Sequence, residues 1–78
     1  HELKTIQPYF DEVLQGQKTF EIRKDDRLFN VGDVLVLAEW DGKSHTGNYA
    51  ARLVTSILRG APEFGLMPGY CIMSIKRI

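Results

Sequence analysis

The run VLVLAEW, from Val34 to Trp40, constrains the fold of this chain most strongly. It is β-branched, apolar and almost continuous, which is the pattern of a strand that is covered on both faces. A chain of 78 residues buries only one hydrophobic core and lies close to the lower size limit for folding without disulfides or a metal. We therefore predict a single domain over residues 1–78, built around this strand.

Short β-type segments separated by turn residues fill most of the remaining chain. We predict further strands over residues 2–6, 17–23, 49–58 and 70–78, with a hairpin loop over residues 41–48. A single short helix should begin at Pro8 and end at Gly16. Its buried stripe would be Phe10, Val13 and Leu14. Because closure removes exposed strand edges, this many strands favour a curled antiparallel sheet or a small barrel.

Charge and cysteine content limit the classes of function. Ten basic and ten acidic side chains give a formal charge of zero, so the broad attraction behind non-specific DNA binding is absent. The lone Cys71 cannot form an internal disulfide, and no apolar run approaches the roughly 18 residues of a membrane helix. The opening HELKT has no signal-peptide h-region. We expect a cytoplasmic monomer without membrane contact, in which any nucleic-acid role rests on a local patch.

Common catalytic and metal-binding patterns do not occur in the chain. The GKS at residues 42–44 is part of a phosphate-binding motif only when a glycine stands five positions earlier, and Leu37 stands there. His1, His45 and Cys71 lack the spacing of metal ligands, so we predict no metal site and no cofactor. Cys71 lies in an apolar strand, where burial would raise its pKa and leave the thiol unreactive.

A charged segment, GQKTFEIRKDDR from Gly16 to Arg27, is the best candidate for a functional surface. Within it, the pattern G-x-K-x-x-E-x-R is formed by Gly16, Lys18, Glu21 and Arg23. An Arg fork and a Lys ammonium suit phosphates and base edges, and a carboxylate accepts a hydrogen bond from the exocyclic amine of cytosine. A mixture of cations and an anion fits a nucleotide better than it fits a bare phosphate backbone.

Strand geometry places a demand on the three charged residues of this motif. In a regular strand Glu21 and Arg23 share a face, whereas Lys18 has the opposite parity. Phe20 and Ile22 would then anchor the strand in the core. Bringing the three charged tips together requires a bend just after the lysine. An alternative stays open, in which Glu21 and Arg23 form an ion pair that braces the fold while Lys18 is solvated.

Four further residues are candidates for ligand contact. Arg27 continues the charged segment, and Lys4 would extend the basic patch across the first strand. Trp40 and Tyr49 flank the hairpin loop and offer stacking surfaces for unpaired bases. Each also has a plain structural interpretation, solvation for the charged residues and packing for the aromatic ones. The two aspartates that precede Arg27 are interpreted as turn residues.

The chain resembles the ASCH group of the PUA-like superfamily, and within it a small branch of unassigned function. Beyond the motif, the resemblance is carried by HELK, PYFDEVLQGQKTFEIRKDDR, NVGDVLVLAEW, the pair Thr46–Gly47 and GYCIMSI. It covers nearly the whole chain. It implies an α+β, mainly β fold, a PUA-like pseudo-barrel of five to six strands with one short N-terminal helix. It also implies a cleft beside the motif that binds RNA or a nucleotide-like ligand.

The leading hypothesis is a binding module that holds RNA or a nucleotide with Lys18, Glu21 and Arg23, without covalent chemistry. The alternative is a small amidohydrolase acting on acylated cytidine-type nucleosides, because some ASCH-like proteins resemble such enzymes and use the motif lysine with a hydroxyl residue and a separate acid. Lys18 with Glu21 would then be catalytic. Glu21 stands where those enzymes carry threonine, which leaves Thr19 as the nearest hydroxyl and Glu63 as the second acid. A protein partner is a third possibility, for which the sequence offers no argument.

Overall fold

The computed structural model describes all 78 residues and consists of five strands, one α-helix and one 3₁₀ helix. In chain order these are β1 (Glu2–Thr5), α1 (Tyr9–Leu14), β2 (Phe20–Lys24), β3 (Val34–Trp40), β4 (His45–Leu58), the 3₁₀ helix (Pro62–Phe64) and β5 (Tyr70–Arg77). The prediction of a mainly β fold with one short N-terminal helix is confirmed. Neither helix has the length or the apolar character needed to cross a bilayer.

All five strands belong to one mixed sheet in the order β1-β3-β4-β5-β2. The pairs β3–β4, β4–β5 and β5–β2 are antiparallel, whereas β1 runs parallel to β3. The sheet is thus mixed and not the antiparallel one of the two predicted alternatives, because the chain passes through α1 and β2 before β3 pairs with β1. The sheet is also not a closed barrel, since no backbone ladder joins its edge strands β1 and β2.

Two arginines span the opening between these edge strands. Arg23 Nη2 donates to the carbonyl oxygen of Lys4 at 3.0 Å and to Thr5 Oγ1 at 3.3 Å. Arg27 Nη1 donates to the carbonyl oxygen of Glu2 at 2.6 Å. Side chains thus satisfy edge carbonyls of β1 that a closed barrel would pair with backbone N–H groups. The arginine side chains thus connect the edge strands β1 and β2, and a cleft lies between these strands.

The core fills the inner side of the sheet, where α1 packs. Phe10 and Val13 of the helix are buried, but Leu14 is exposed, so the buried stripe is narrower than predicted. The helix residues pack with Leu3, Phe29, Leu35, Leu37, Ala50, Val54, Cys71, Met73 and Ile75. Burial raises the pKa of the Cys71 thiol, which agrees with the prediction of an unreactive cysteine.

The outer face of β3 is only partly covered. Val34 is 42% exposed, and Val36 and Trp40 are half-buried, so the run is not a strand covered on both faces. Leu35 and Leu37 face the core from the other side. A chain of this length has no residues left for a second layer, and Ala38 is the one fully buried residue on the outer face of β3.

The turn between α1 and β2 is set by the end of the helix. Gly16 has a φ of +79°, and its N–H donates to the carbonyl of Val13 at 3.1 Å. The N–H of Gln17 donates to the carbonyl of Glu12 at 2.9 Å, which completes a Schellman motif. The N–H of Lys18 binds the same carbonyl at 3.0 Å. The predicted helix stop at Gly16 is confirmed, and Lys18 is tied to the helix end outside β2.

The hairpin between β3 and β4 is tighter than predicted. Because β4 begins at His45, only residues 41–44 of the expected loop connect the strands. Asp41 Oδ1 accepts hydrogen bonds from the N–H groups of Lys43 and Ser44, both at 2.8 Å. These two backbone amides of the GKS segment are therefore already bound by the Asp41 carboxylate. The segment is an ordinary turn that is stabilised by an aspartate side chain.

Candidate functional site

A cleft of about 530 Å³ opens between the two edge strands, beside α1. Four of the residues predicted to contact a ligand line it: Lys4, Lys18, Glu21 and Arg23. Lys4 comes from β1, Lys18 from the turn after α1, and the other two from β2. The charged motif thus lies at the opening that keeps the sheet from closing.

Glu21 points toward the interior from β2. Its direct neighbour on β5 is the core residue Met73, and Glu21 itself is 3% exposed. Phe20 and Ile22, by contrast, are 42% and 51% exposed, so the prediction that they anchor the strand in the core is wrong. The predicted alternation along β2 is correct, but the face that was predicted to be buried is exposed and the other face is buried. Cations beside the cleft make a buried carboxylate tolerable here, and the apolar residues form the outer rim.

The lysine tip reaches the glutamate from outside the strand. Lys18 Nζ lies 3.2 Å from Glu21 Oε2 and donates to the carbonyl oxygen of Phe20 at 2.8 Å. Arg23 Nε donates to the same Oε2 at 3.3 Å. The Schellman turn supplies the bend that the sequence required, because it takes Lys18 out of the strand and removes the parity conflict. All three charged tips therefore lie at one wall of the cleft.

The two oxygens of the Glu21 carboxylate have different surroundings. Oε2 receives both cations, whereas the buried Oε1 has no hydrogen-bond partner in the protein. Lys18 and Arg23 are themselves only 13% and 25% exposed, so the group is largely shielded from water. A buried polar atom without a partner costs about 1–3 kcal/mol, because its desolvation is not offset. Glu21 lines the cleft, and Oε1 is the acceptor of this side chain that the protein leaves unmatched.

The remaining predicted residues lie outside the wall of the cleft. Lys4 Nζ lies 4.1 Å from the centroid of the Trp40 ring, so the half-buried tryptophan adjoins the cleft through the lysine. Arg27 does not line the cleft and is engaged with the edge of β1. Tyr49 is 54% exposed on β4, also away from the cleft wall.

Sequence reasoning did not identify the other six cleft residues: Thr5, Ile6, Tyr9, Glu12, Phe20 and Ile22. Tyr9 and Phe20 are its aromatic side chains, and both are nearly half exposed. The exposure of Tyr9 could have been predicted from the sequence. Tyr9 lies outside the buried stripe of α1, and a helix residue outside that stripe faces away from the core. No comparable signal marked Thr5, whose buried hydroxyl depends on Arg23 from the far edge strand.

The residues named for a hydrolase are not brought together. Thr19 and Glu63 do not line the cleft, and Glu63 lies in the 3₁₀ helix. The cleft instead contains a different hydroxyl and a different second acid, from Thr5 and Glu12. The catalytic partners proposed from the sequence are therefore replaced by residues of the same chemical types from β1 and α1.

Two other features lie near the charged segment. Asp25 pairs with Arg59 at 2.5 Å, so it ties β2 to the end of β4 and is not simply a solvated turn residue. A second, apolar groove of about 370 Å³ lies beyond Ile22, where Phe64 and Met67 are largely exposed. This groove contains no charged side chain.

Comparison with known proteins places the chain in a family. The family described as a domain of unknown function (DUF3850) matches residues 1–75, which include every residue of the cleft. A relative from Escherichia phage P2, described as an uncharacterized 12.9 kDa protein in the GpA 3' region, is 42% identical over 57 residues. That alignment covers 73% of this chain and 52% of the relative, so the chain spans about half of the relative's length. From its first strand to its last, the chain belongs to the DUF3850 family.

Proposed function

We propose that this protein is a PUA-like binding module of the ASCH type that holds one nucleotide unit, free or within single-stranded RNA, without covalent chemistry. The observation that carries the proposal is Glu21 Oε1, a buried acceptor without a protein partner on a side chain that lines the cleft. The resemblance of the motif from Gly16 to Arg23 to ASCH proteins supports the same function.

The free carboxylate oxygen fits the amine-bearing edge of a base. A carboxylate oxygen only accepts hydrogen bonds, and cytosine presents an exocyclic amine where uracil presents a carbonyl oxygen. Cytosine at this position satisfies Glu21 Oε1, whereas uracil in the same pose sets two acceptors against each other. Tyr9 and Phe20 line the same cleft and provide surfaces on which the base can stack.

The charge of the cleft fits a single phosphate. Its wall carries three cations and two carboxylates: Lys4, Lys18, Arg23, Glu12 and Glu21. One positive charge is therefore in excess, which matches a monophosphate or one diester unit better than a triphosphate. Lys18 and Arg23 are already paired with Glu21, so the exposed Lys4, which contacts Trp40 but no carboxylate, is the cation that meets the phosphate. Few phosphate contacts imply modest affinity and a shallow dependence on salt.

Isothermal titration calorimetry with cytidine and uridine monophosphates tests this assignment. We expect the cytidine nucleotide to bind about tenfold more tightly, which corresponds to about 1.4 kcal/mol. In the variant Glu21→Gln, the amide oxygen faces Lys18 and Arg23 and the amide NH₂ takes the place of Oε1, so the preference should shift toward uridine. Glu63→Gln, outside the cleft, should leave the preference unchanged. Equal binding of the two nucleotides, or an unaltered preference in Glu21→Gln, would refute the assignment.

A small amidohydrolase is the second candidate, because Lys18 shares the cleft with the Thr5 hydroxyl and the Glu12 carboxylate. Incubation with N4-acetylcytidine, followed by chromatography for cytidine and acetate, distinguishes the two candidates. Retention of the intact nucleoside together with measurable binding supports the module. Turnover that disappears in Lys18→Met would establish the hydrolase in its place.

A further inference from the structure

We propose that the ligand is a single-stranded RNA segment of at least two nucleotides, which passes from the cleft over edge strand β1 and stacks a second base on Trp40. The inference rests on the proposed nucleotide site in the cleft. Lys4 connects the two positions, because it lines the cleft while its Nζ lies 4.1 Å from the centroid of the Trp40 ring. A chain that leaves the cleft on this side meets the tryptophan next.

Trp40 lies on β3, one residue past the point where the edge strand β1 ends. Thr5 is buried and its neighbour Lys4 is exposed, so the two side chains leave β1 on opposite faces, and both line the cleft at the strand edge. Lys4 pairs in register with Ala38, two residues before Trp40. The pairing of β3 with β4 shifts register between Ala38 and Trp40. Such irregularities redirect side chains and are frequent beside binding sites.

The half-buried tryptophan ring has two protein neighbours, and one of them is a flexible lysine. His45 packs edge-on against it, with ring centroids 5.1 Å apart. Lys4 covers the face, and a cation–π contact by an exposed lysine is worth a factor of only about 2–5 in an equilibrium constant. A base stacked on an aromatic ring contributes a factor of about 5–150. A base therefore displaces the ammonium, which then lies between the two nucleotides, where the linking phosphate runs.

The test compares the trinucleotide CpCpC with the same trinucleotide in which both flanking residues are abasic, and with cytidine monophosphate. Trp40 is the only tryptophan, so its fluorescence reports on stacking directly. We expect CpCpC to quench this fluorescence and to bind about tenfold more tightly than its abasic counterpart. Cytidine monophosphate should bind in the cleft without quenching.

Variants separate stacking from general effects on the fold. By calorimetry, Trp40→Leu should bind CpCpC no better than the abasic-flanked ligand and should bind cytidine monophosphate normally. Trp40→Phe keeps a ring and should retain most of the advantage of CpCpC. Phe64→Leu removes an exposed aromatic ring at the second groove and should change neither affinity. Circular dichroism and thermal melting confirm that each variant is folded.

Two results would overturn the inference, and they differ in what they leave standing. If cytidine monophosphate binds but the two trinucleotides bind equally and the fluorescence is unchanged, the Trp40 platform is wrong and the cleft assignment survives. If none of the three ligands binds, the cleft assignment fails and the platform fails with it.

Discussion

Replacing Arg23 by methionine measures how much the arginine bridge between β1 and β2 stabilises the fold. The guanidinium donates three hydrogen bonds, at 3.3 Å to Glu21 Oε2, at 3.0 Å to the carbonyl of Lys4 and at 3.3 Å to Thr5 Oγ1. Methionine keeps an unbranched apolar stem of similar length, so the change in stability reports mainly on these polar contacts.

The expected loss follows from the burial of the partners. A hydrogen bond to a charged group contributes about 1.5–3 kcal/mol, and removing one member of a buried ion pair costs about 3–5 kcal/mol. Here Arg23 is 25% exposed, and Lys18 stays beside Glu21, so the carboxylate is not left without a cation. We therefore expect the free energy of unfolding to fall by about 2–3 kcal/mol. With a urea m-value of about 1 kcal/mol/M, the midpoint falls by about 2–3 M.

Arg27→Met is the matched control, because the same residue type spans the same opening with a single exposed hydrogen bond to Glu2. Its cost should stay below about 1 kcal/mol. Urea denaturation followed by the fluorescence of Trp40 measures both variants. If Arg23→Met costs no more than Arg27→Met, the contacts of Arg23 do not hold the edge strands together.

Two further predictions concern the helix end and a polar network. Gly16→Ala places an L side chain at a φ of +79°, and the new Cβ meets nothing closer than Arg77 Nη2 at 3.9 Å, so the cost is conformational. The conformational penalty of about 1–2 kcal/mol is partly offset by the lower entropy of the unfolded alanine variant. The melting temperature measured by calorimetry should fall by about 4–8 °C. An unchanged melting temperature would contradict the role of the Schellman turn. Hydrogen bonds from Thr46, Asn48 and Gln7 lower the pKa of Glu39 in the folded protein. The charged form therefore stabilises the fold fully above the ordinary pKa of 4.5. This contribution is lost as the pH falls through the lowered pKa. The melting temperatures of the native chain and Glu39→Gln should therefore converge as the pH falls through this window, and a difference independent of pH would show that the charge of Glu39 is not involved.

Patterns that act over a few residues were sufficient for several elements. The strand from Val34 to Trp40 has the predicted boundaries, because β-branched apolar residues between turn signals specify a strand locally. The helix stop at Gly16 depends only on glycine's access to positive φ. The parallel pairing of Glu2 with Val36 could not be predicted in the same way. It joins segments that are far apart in the chain, and no local pattern indicates which strands pair with each other.

The face of β2 shows where alternation stops being informative. Alternation separates Phe20 and Ile22 from Glu21, but it does not say which side is inside. Apolar burial is the usual outcome, and here it fails because two cations meet the carboxylate at the opening of the sheet. One of these cations, Lys18, lies in the turn after α1 and not in β2. Strand alternation therefore predicted the wrong side of the sheet for its side chain.

The sequence by itself determined the chemistry available to this protein: a lysine, a glutamate and an arginine close together, after a helix that ends at a glycine. Those properties depend on residue type and on short spacing. Only the tertiary structure decided that both cations meet one oxygen of Glu21 while Oε1 stays without a partner. That arrangement depends on where the edge of β1 lies relative to Arg23, and long-range packing of the sheet sets this position.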